Sequence, residues 1–268
     1  MTLPDYNSIT EIPGLQATGE QRERLYHRYR FASDYGVNKR VLEAACGSGL
    51  GMKYLSRGSA VVAGIDIDSN NISVAASLRT EARLLLSRGD AHSLPFRNQS
   101  FDVVLLFESL YYLKNPELFV REAARVLRKE GWLIISTVNR SWDDFHPSPF
   151  AHAYFTVPEL LDLLKKQFRE VQFFGAFPVQ SAGIRNKVIS LIKRLAVSMH
   201  LIPGSLAARA YLKRLFIGPL QPLPTSLEDV KTQYLPPQRI AEDSPNKNFK
   251  IIYAVAAARR AADAEKDF

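Results

Sequence analysis

The stretch that decides the fold is Val41-Leu42-Glu43-Ala44-Ala45-Cys46-Gly47-Ser48-Gly49-Leu50-Gly51. An apolar run ends in an acid and breaks into small residues, the pattern of a strand entering a tight turn where backbone can approach a ligand closely. A dinucleotide-binding turn calls for G-x-G-x-x-G, but the third position after Gly47-x-Gly49 is Met52. Glu43 would also repel a pyrophosphate, and no Gly-Lys-Ser/Thr follows to cradle phosphate. An acid beside a glycine turn suits a cationic, phosphate-free ligand such as an amino-acid ammonium.

Outward from this turn, short apolar runs alternate with amphipathic stretches. Strands are expected at 40–45, 60–66, 83–87, 101–107, 132–137 and 171–177, and helices at 20–35, up to about 57, 70–79, 116–129 and 157–166. The rhythm predicts an α/β fold: a Rossmann-like, doubly wound, mostly parallel seven-stranded sheet with right-handed crossovers and ligands at the strands' carboxyl ends. After Phe177 the rhythm stops. Residues 184–202 place Ile184, Val188, Leu191, Ile192 and Leu195 on one face, Pro203-Gly204 breaks the helix, and a second amphipathic stretch runs over 206–217. A Pro-rich loop follows, and 249–256 returns as the seventh strand. The organisation expected is an N-terminal arm and helix (1–35), a core (36–180), a helical insertion or lid (181–245), and the last strand with a frayed tail (246–268).

The 268 residues are 46 % apolar and 23 % charged, which excludes a disordered chain, a collagen-like fibre and a disulfide scaffold. Between Val171 and Leu227 there is no Asp or Glu, yet Arg185, Lys187, Lys193, Arg194, Arg209, Lys213 and Arg214 carry seven of the eight net positive charges. A nearly neutral body with one basic segment is a poor description of a nucleic-acid-binding surface. Cys46 stands alone, so it reads as a small buried side chain, and a reducing cytoplasmic compartment is expected. No run approaches the roughly 18–20 apolar residues of a membrane span, and the first residues do not read as a signal peptide.

The turn at 41–51 resembles the first motif of class I S-adenosylmethionine-dependent methyltransferases of the small-molecule, type 11 kind. The resemblance continues in order through Gly64-Ile65-Asp66-Ile67-Asp68, Gly89-Asp90-Ala91 with Leu94-Pro95-Phe96, the run from Phe101 to Glu108, and the run from Leu127 to Ser136. Upstream, Thr18-Gly19-Glu20 and Arg28-Tyr29-Arg30-Phe31-Ala32 are similar to bacterial enzymes that methylate sugars of surface glycans. The resemblance implies S-adenosylmethionine as co-substrate, with Glu43 near the methionine ammonium and Asp66 on both ribose hydroxyls. It implies Ile67, Asp90 and Ala91 around adenine, and Gly47, Gly49 and Phe107 close to the ligand. Tyr29 and Arg30 are expected near the methionine carboxylate. Where the family usually has Gly this chain has Ala45, whose carbonyl would face the methionine amine; its methyl group is tolerated if its backbone angles are ordinary.

Methyl transfer to a hydroxyl benefits from a general base. Candidates at the ends of the fourth and fifth strands are Glu108, Tyr111, Tyr112, His146 and His152; Glu108, His146 and His152 are carried forward, and no metal site is expected. The acceptor expected is a small molecule, foremost a sugar or glycan-related hydroxyl, carried on a nucleotide or a lipid. The basic stretch 184–217 offers contact with an anionic membrane surface, which would make the protein peripheral at the inner face. Two rival readings stand beside this one: a silent adenosyl-ligand-binding partner subunit, and a quinone, lipid or RNA methyltransferase.

Overall fold

The computed structural model describes residues 10–78, 83–179 and 219–259. In chain order the elements are β1 (Gln16–Ala17), α1 (Gly19–Gly36), β2 (Arg40–Ala44), α2 (Met52–Ser56), β3 (Val61–Asp66), α3 (Ser69–Leu78), β4 (Leu84–Arg88) and β5 (Phe101–Phe107). They continue with α4 (Pro116–Val126), β6 (Leu127–Val138), α5 (Val157–Leu164), β7 (Phe168–Pro178), β8 (Gln221–Pro222), β9 (Gln238–Ile240) and β10 (Phe249–Ala258).

The main sheet has the order β4-β3-β2-β5-β6-β10-β7-β9. From β4 to β6 all pairs are parallel, whereas β10 runs antiparallel to both β6 and β7. Chain order reverses direction between β2 and β5, so the crevice outside their carboxyl ends is where this architecture holds ligands. The central strands read as continuous apolar runs because both faces are covered. Leu42, Leu106 and Ile135 pack with Phe119 of α4 and Leu160 of α5, while Val41, Leu105 and Ile134 pack with Leu25 of α1 and Leu55 of α2.

Helix α1 starts where the sequence supplies a reciprocal cap: the Gln21 amide donates to the Thr18 hydroxyl at 3.1 Å, and the Thr18 amide donates to Gln21 Oε1 at 2.9 Å. The segment before it is tied down, since β1 pairs antiparallel with β8.

Two expectations are corrected. The helix expected to reach residue 129 ends at Val126, because Leu127 pairs with Phe101 and begins β6. The sheet has eight strands rather than seven, β9 adding a three-residue edge antiparallel to β7. The Pro-rich stretch 219–245, read as a loop ahead of the last strand, holds β8, β9 and one 3-10 turn and no α-helix. Pro219, Pro222, Pro224, Pro236 and Pro237 explain this, since proline lacks the amide donor a helix interior needs. The amphipathic stretches 184–202 and 206–217 and the tail after Arg259 lie outside the described residues.

Candidate active site

A cavity of about 390 Å³ opens at the carboxyl ends of β2, β3 and β5, roofed by α1 and residues 10–11. Of the residues singled out for the ligand, Glu43, Ala45, Gly47, Asp66 and Ile67 line it on one side. Asp90, Ala91, Phe107 and Tyr29 complete that set, and Glu108 lies on the same wall as Tyr111 and Tyr112.

Glu43 is 1 % exposed at the end of β2. Its Oε1 accepts from the Tyr29 hydroxyl at 2.6 Å, while Oε2 has no partner. Burial pushes the Glu43 carboxyl up to about 7, against the opposing pull of the Tyr29 hydrogen bond and the Arg28 charge. A buried, unpartnered carboxylate oxygen facing a cavity is what an ammonium group would satisfy.

Ala45 departs from the expected geometry. Its φ is +54°, in the left-handed region that favours glycine, so its methyl group is carried at a backbone cost. Gly47 is also left-handed, and its amide donates to Asp66 Oδ2 at 2.9 Å. Gly49 does not line the cavity; a Cβ there would lie 2.8 Å from Ala75 Cβ, so this glycine serves the approach of α3.

Asp66 is buried, and its Oδ1 accepts from the Asp68 amide at 2.9 Å and from Asn71 Nδ2 at 3.1 Å. Three of the roughly four acceptor positions of a carboxylate are thereby used. Asp90 is exposed at the cavity rim, where Oδ1 accepts from the His92 amide at 2.8 Å and lies 2.7 Å from His92 Nδ1. Because His92 Nε2 accepts from the Asn115 amide at 3.3 Å, these bonds assign the ring proton to Nδ1.

Glu108 has a φ of +50°, and its amide donates to the Ser136 carbonyl at 2.9 Å. Its Oε1 accepts from the Ser136 hydroxyl at 2.9 Å and its Oε2 from Tyr111 at 3.1 Å. Burial pushes the Tyr111 hydroxyl well up, so it stays a donor.

His146 and His152 are both exposed, and neither lines the cavity. For His152 the cause is local: its amide is tied to the Tyr111 carbonyl at 2.8 Å and Tyr154 stacks on Tyr111 at 4.6 Å, which leaves the histidine ring on the solvent side. Arg30 is also misplaced by the sequence reading, since it pairs with Asp34 at 2.5 Å and lies over Tyr234 away from the cavity. Two positions earlier on α1, Arg28 does reach the cavity: it is 6 % exposed, lines it and pairs with Glu11. Its Nε is buried without a partner. Sequence reasoning also missed His92, Ser136 and Tyr253. Helical phase was a signal for Arg28, because it falls between Leu25 and Ala32 on the buried face. Among the described residues, no group of three or more His, Cys, Asp and Glu is placed to hold a metal ion.

The family model described as a methyltransferase domain matches residues 42–135. The fatty-acid O-methyltransferase of Mycolicibacterium smegmatis is 36 % identical over 122 residues, 45 % of this chain and 44 % of that protein. The phthiotriol/phenolphthiotriol dimycocerosates methyltransferase 1 of Mycobacterium ulcerans is 36 % identical over 119 residues, 44 % of each. The chain thus spans less than half the length of these curated relatives. In fold it resembles a SAM-dependent methyltransferase of Thermotoga maritima, at a TM-score of 0.54 and 16 % identity over 90 % of this chain and 94 % of that one. The motif order, the sheet that presents it and the match over its central strands agree: residues 42–135 are a class I S-adenosylmethionine-dependent methyltransferase domain.

Proposed function

We propose that this protein transfers the methyl group of S-adenosylmethionine to a hydroxyl of a small molecule, with Glu108 as general base. The observation that carries this reading is the contrast between two of the cavity's carboxylates, which stand in different settings. Glu43 is buried with one oxygen unpartnered; Glu108 is held by two donors on the acceptor side.

Bound S-adenosylmethionine supplies a methyl group on a cationic sulfur, which makes the methyl carbon electrophilic. Glu43 takes the ammonium, Arg28 the carboxylate, Asp66 a ribose hydroxyl through its remaining acceptor position, and Ile67, Asp90 and Ala91 the adenine. Tyr29 holds Glu43 in place by its 2.6 Å hydrogen bond. As the acceptor oxygen attacks, the carbon–sulfur bond breaks, the carbon–oxygen bond forms, and Glu108 takes the hydroxyl proton. Alignment of donor and acceptor supplies much of the acceleration in such a displacement.

The sequence favours a sugar hydroxyl, and the polar groups Glu108, Ser136 and Tyr111 support that class. Leu25, Val138, Phe177 and Ile251 add apolar surface to the same cavity, which supports a hydroxyl on an apolar body more strongly. The two relatives bear names of lipid substrates, in keeping with that choice.

Labelled S-adenosylmethionine should transfer its methyl group to members of a panel of hydroxylated lipids and sugar nucleotides, with turnover highest on the lipids. Glu108→Gln should lower turnover by about 10²–10⁴-fold while leaving S-adenosylhomocysteine affinity, measured by calorimetry, unchanged. Absence of S-adenosylhomocysteine binding would overturn the donor reading; equal loss of binding and turnover in Glu108→Gln would overturn the base.

A further inference from the structure

The α1 wall of the cavity carries two arginines, and donor binding calls for only one. Gln21, Arg24, Leu25 and Arg28 recur at the spacing of one helix face, and all four line the cavity. Arg24 and Arg28 are one turn apart, about 6 Å along the axis. The sheet assigns them to different halves. Tyr29, next to Arg28, meets Glu43 of β2 and Phe107 of β5 on the donor side. Arg24 stands 5.6 Å from the centre of the Phe177 ring, near the end of β7 and three places beyond β5 in the strand order.

An apolar floor runs between the two halves. Ser136 of β6, whose hydroxyl donates to Glu108 at 2.9 Å, is followed on the same face by Val138. Val138 is the register partner of Ile251 on β10, and Ile251 that of Ala176 on β7, next to Phe177. Val138, Ile251 and Phe177 all line the cavity. From Ser136 to Phe177 this path covers two residues along a strand and two strand spacings across, on the order of 12 Å. The Glu108 carboxylate stands at one end and the Arg24 guanidinium at the other.

Arg24 is set to take an anion. Its Nε is buried without a hydrogen-bond partner, a state that costs free energy until an acceptor arrives. Phe177 attracts the cation through its ring face, which uses none of the guanidinium N–H groups. That ring is placed by a backbone φ of +57°, an outlier for a bulky residue and the kind of strain that collects at ligand sites. Glu20, the carboxylate paired with Arg24, is shared: its Oε1 meets Arg24 and its Oε2 meets Lys250 at 2.8 Å. Two cations thus divide one negative charge, and the sequence between Val171 and Leu227 has no Asp or Glu to add. One further monoanion balances the cluster, which favours a carboxylate over a dianionic phosphate.

We propose that Arg24 forms an anion subsite of the acceptor pocket, and that the methyl acceptor is a hydroxylated carboxylic acid. Its hydroxyl lies at Glu108, its apolar body on Val138 and Ile251, and its carboxylate on Arg24 beside Phe177. The inference deepens the hydroxyl-transfer reading above and rests on it for the position of the hydroxyl.

The test is calorimetry on the full chain saturated with S-adenosylhomocysteine. The probe is dodecanoate, which has the apolar body and the carboxylate but no hydroxyl. It should bind at least about 10-fold more tightly than methyl dodecanoate, which lacks the charge. Arg24→Gln should weaken dodecanoate by about 10–100-fold, the worth of a charged hydrogen bond, and leave the ester unchanged. Glu20→Gln removes the competing carboxylate and should tighten dodecanoate by about 2–5-fold, the worth of a partly exposed ion pair. Lys250→Gln hands Glu20 wholly to Arg24 and should weaken it; a purely structural role for Arg24 gives no such opposed signs. Equal affinity for acid and ester in the wild-type protein, or an equal loss of both in Arg24→Gln, would overturn the subsite. Tighter binding of dodecyl phosphate than of dodecanoate, lost in Arg24→Gln, would overturn the carboxylate in favour of a phosphate. Failure of S-adenosylhomocysteine itself to bind would sink the methyltransferase reading, whereas its binding with no preference for dodecanoate over the ester would sink the subsite alone.

Discussion

Ala45 keeps a methyl group at a φ of +54°, a conformation that costs an L-residue roughly 1–2 kcal/mol. Ala45→Gly should therefore raise unfolding stability by about 1 kcal/mol, measured by denaturant titration. Arg28 invites a second single-residue test. Its buried guanidinium has an unpartnered Nε and a competitor in the Glu11 carboxylate, so a ligand carboxylate has a donor to meet. Arg28→Met should weaken S-adenosylhomocysteine by about 10–100-fold, the worth of a charged hydrogen bond, and leave methylthioadenosine, which lacks the amino-acid part, unaffected. Equal loss for both nucleosides would place Arg28 away from the amino-acid end. The sequence told that Glu43, Asp66 and Asp90 meet at one cavity, because each sits where a strand meets a turn. It did not tell Arg28 from Arg30, since both are arginines on one helix and only the packing of α1 decides which faces inward.

At the level of elements, α1 and the turn after β2 are fitted to each other. A Cβ on Gly51 would lie 2.0 Å from the Tyr29 ring, the same ring whose hydroxyl holds Glu43. Gly51→Ala should push Tyr29 off Glu43, costing about 1–3 kcal/mol of stability and lowering S-adenosylhomocysteine affinity together with it. Loss of stability with unchanged affinity would show that Tyr29 does not carry Glu43. The parallel strands were legible because burial on both faces leaves an unbroken apolar run, as in Val103-Val104-Leu105-Leu106. β9 was not, since three residues of mixed polarity at a sheet edge carry no period. The end of α4 was also hidden: Leu127 continues the helical apolar pattern yet is spent on the ladder with Phe101.

For the whole molecule, Glu43 links stability to pH. Its carboxyl is raised from an ordinary 4.5 to about 7 in the folded protein. Between those values the folded chain keeps a proton that the unfolded chain has lost, so stability falls as pH rises from about 4.5 to 7, by on the order of 3 kcal/mol from this group. Glu43→Gln should flatten that part of the curve in thermal unfolding. A bound ammonium favours the ionised carboxylate, so the stabilisation by S-adenosylhomocysteine should grow from pH 6 to pH 8 while that by methylthioadenosine stays level. The strand order has a consequence for biosynthesis. β10, late in the chain, is inserted between β6 and β7 and is buried along nearly its whole length. Until residue 258 has emerged from the ribosome, both neighbouring strands present open edges, the kind of surface that recruits chaperones or pairs with other nascent chains. Translation arrested before Phe249 should yield a protease-sensitive chain in which the donor half of the cavity is encoded but the sheet beneath it is not yet closed.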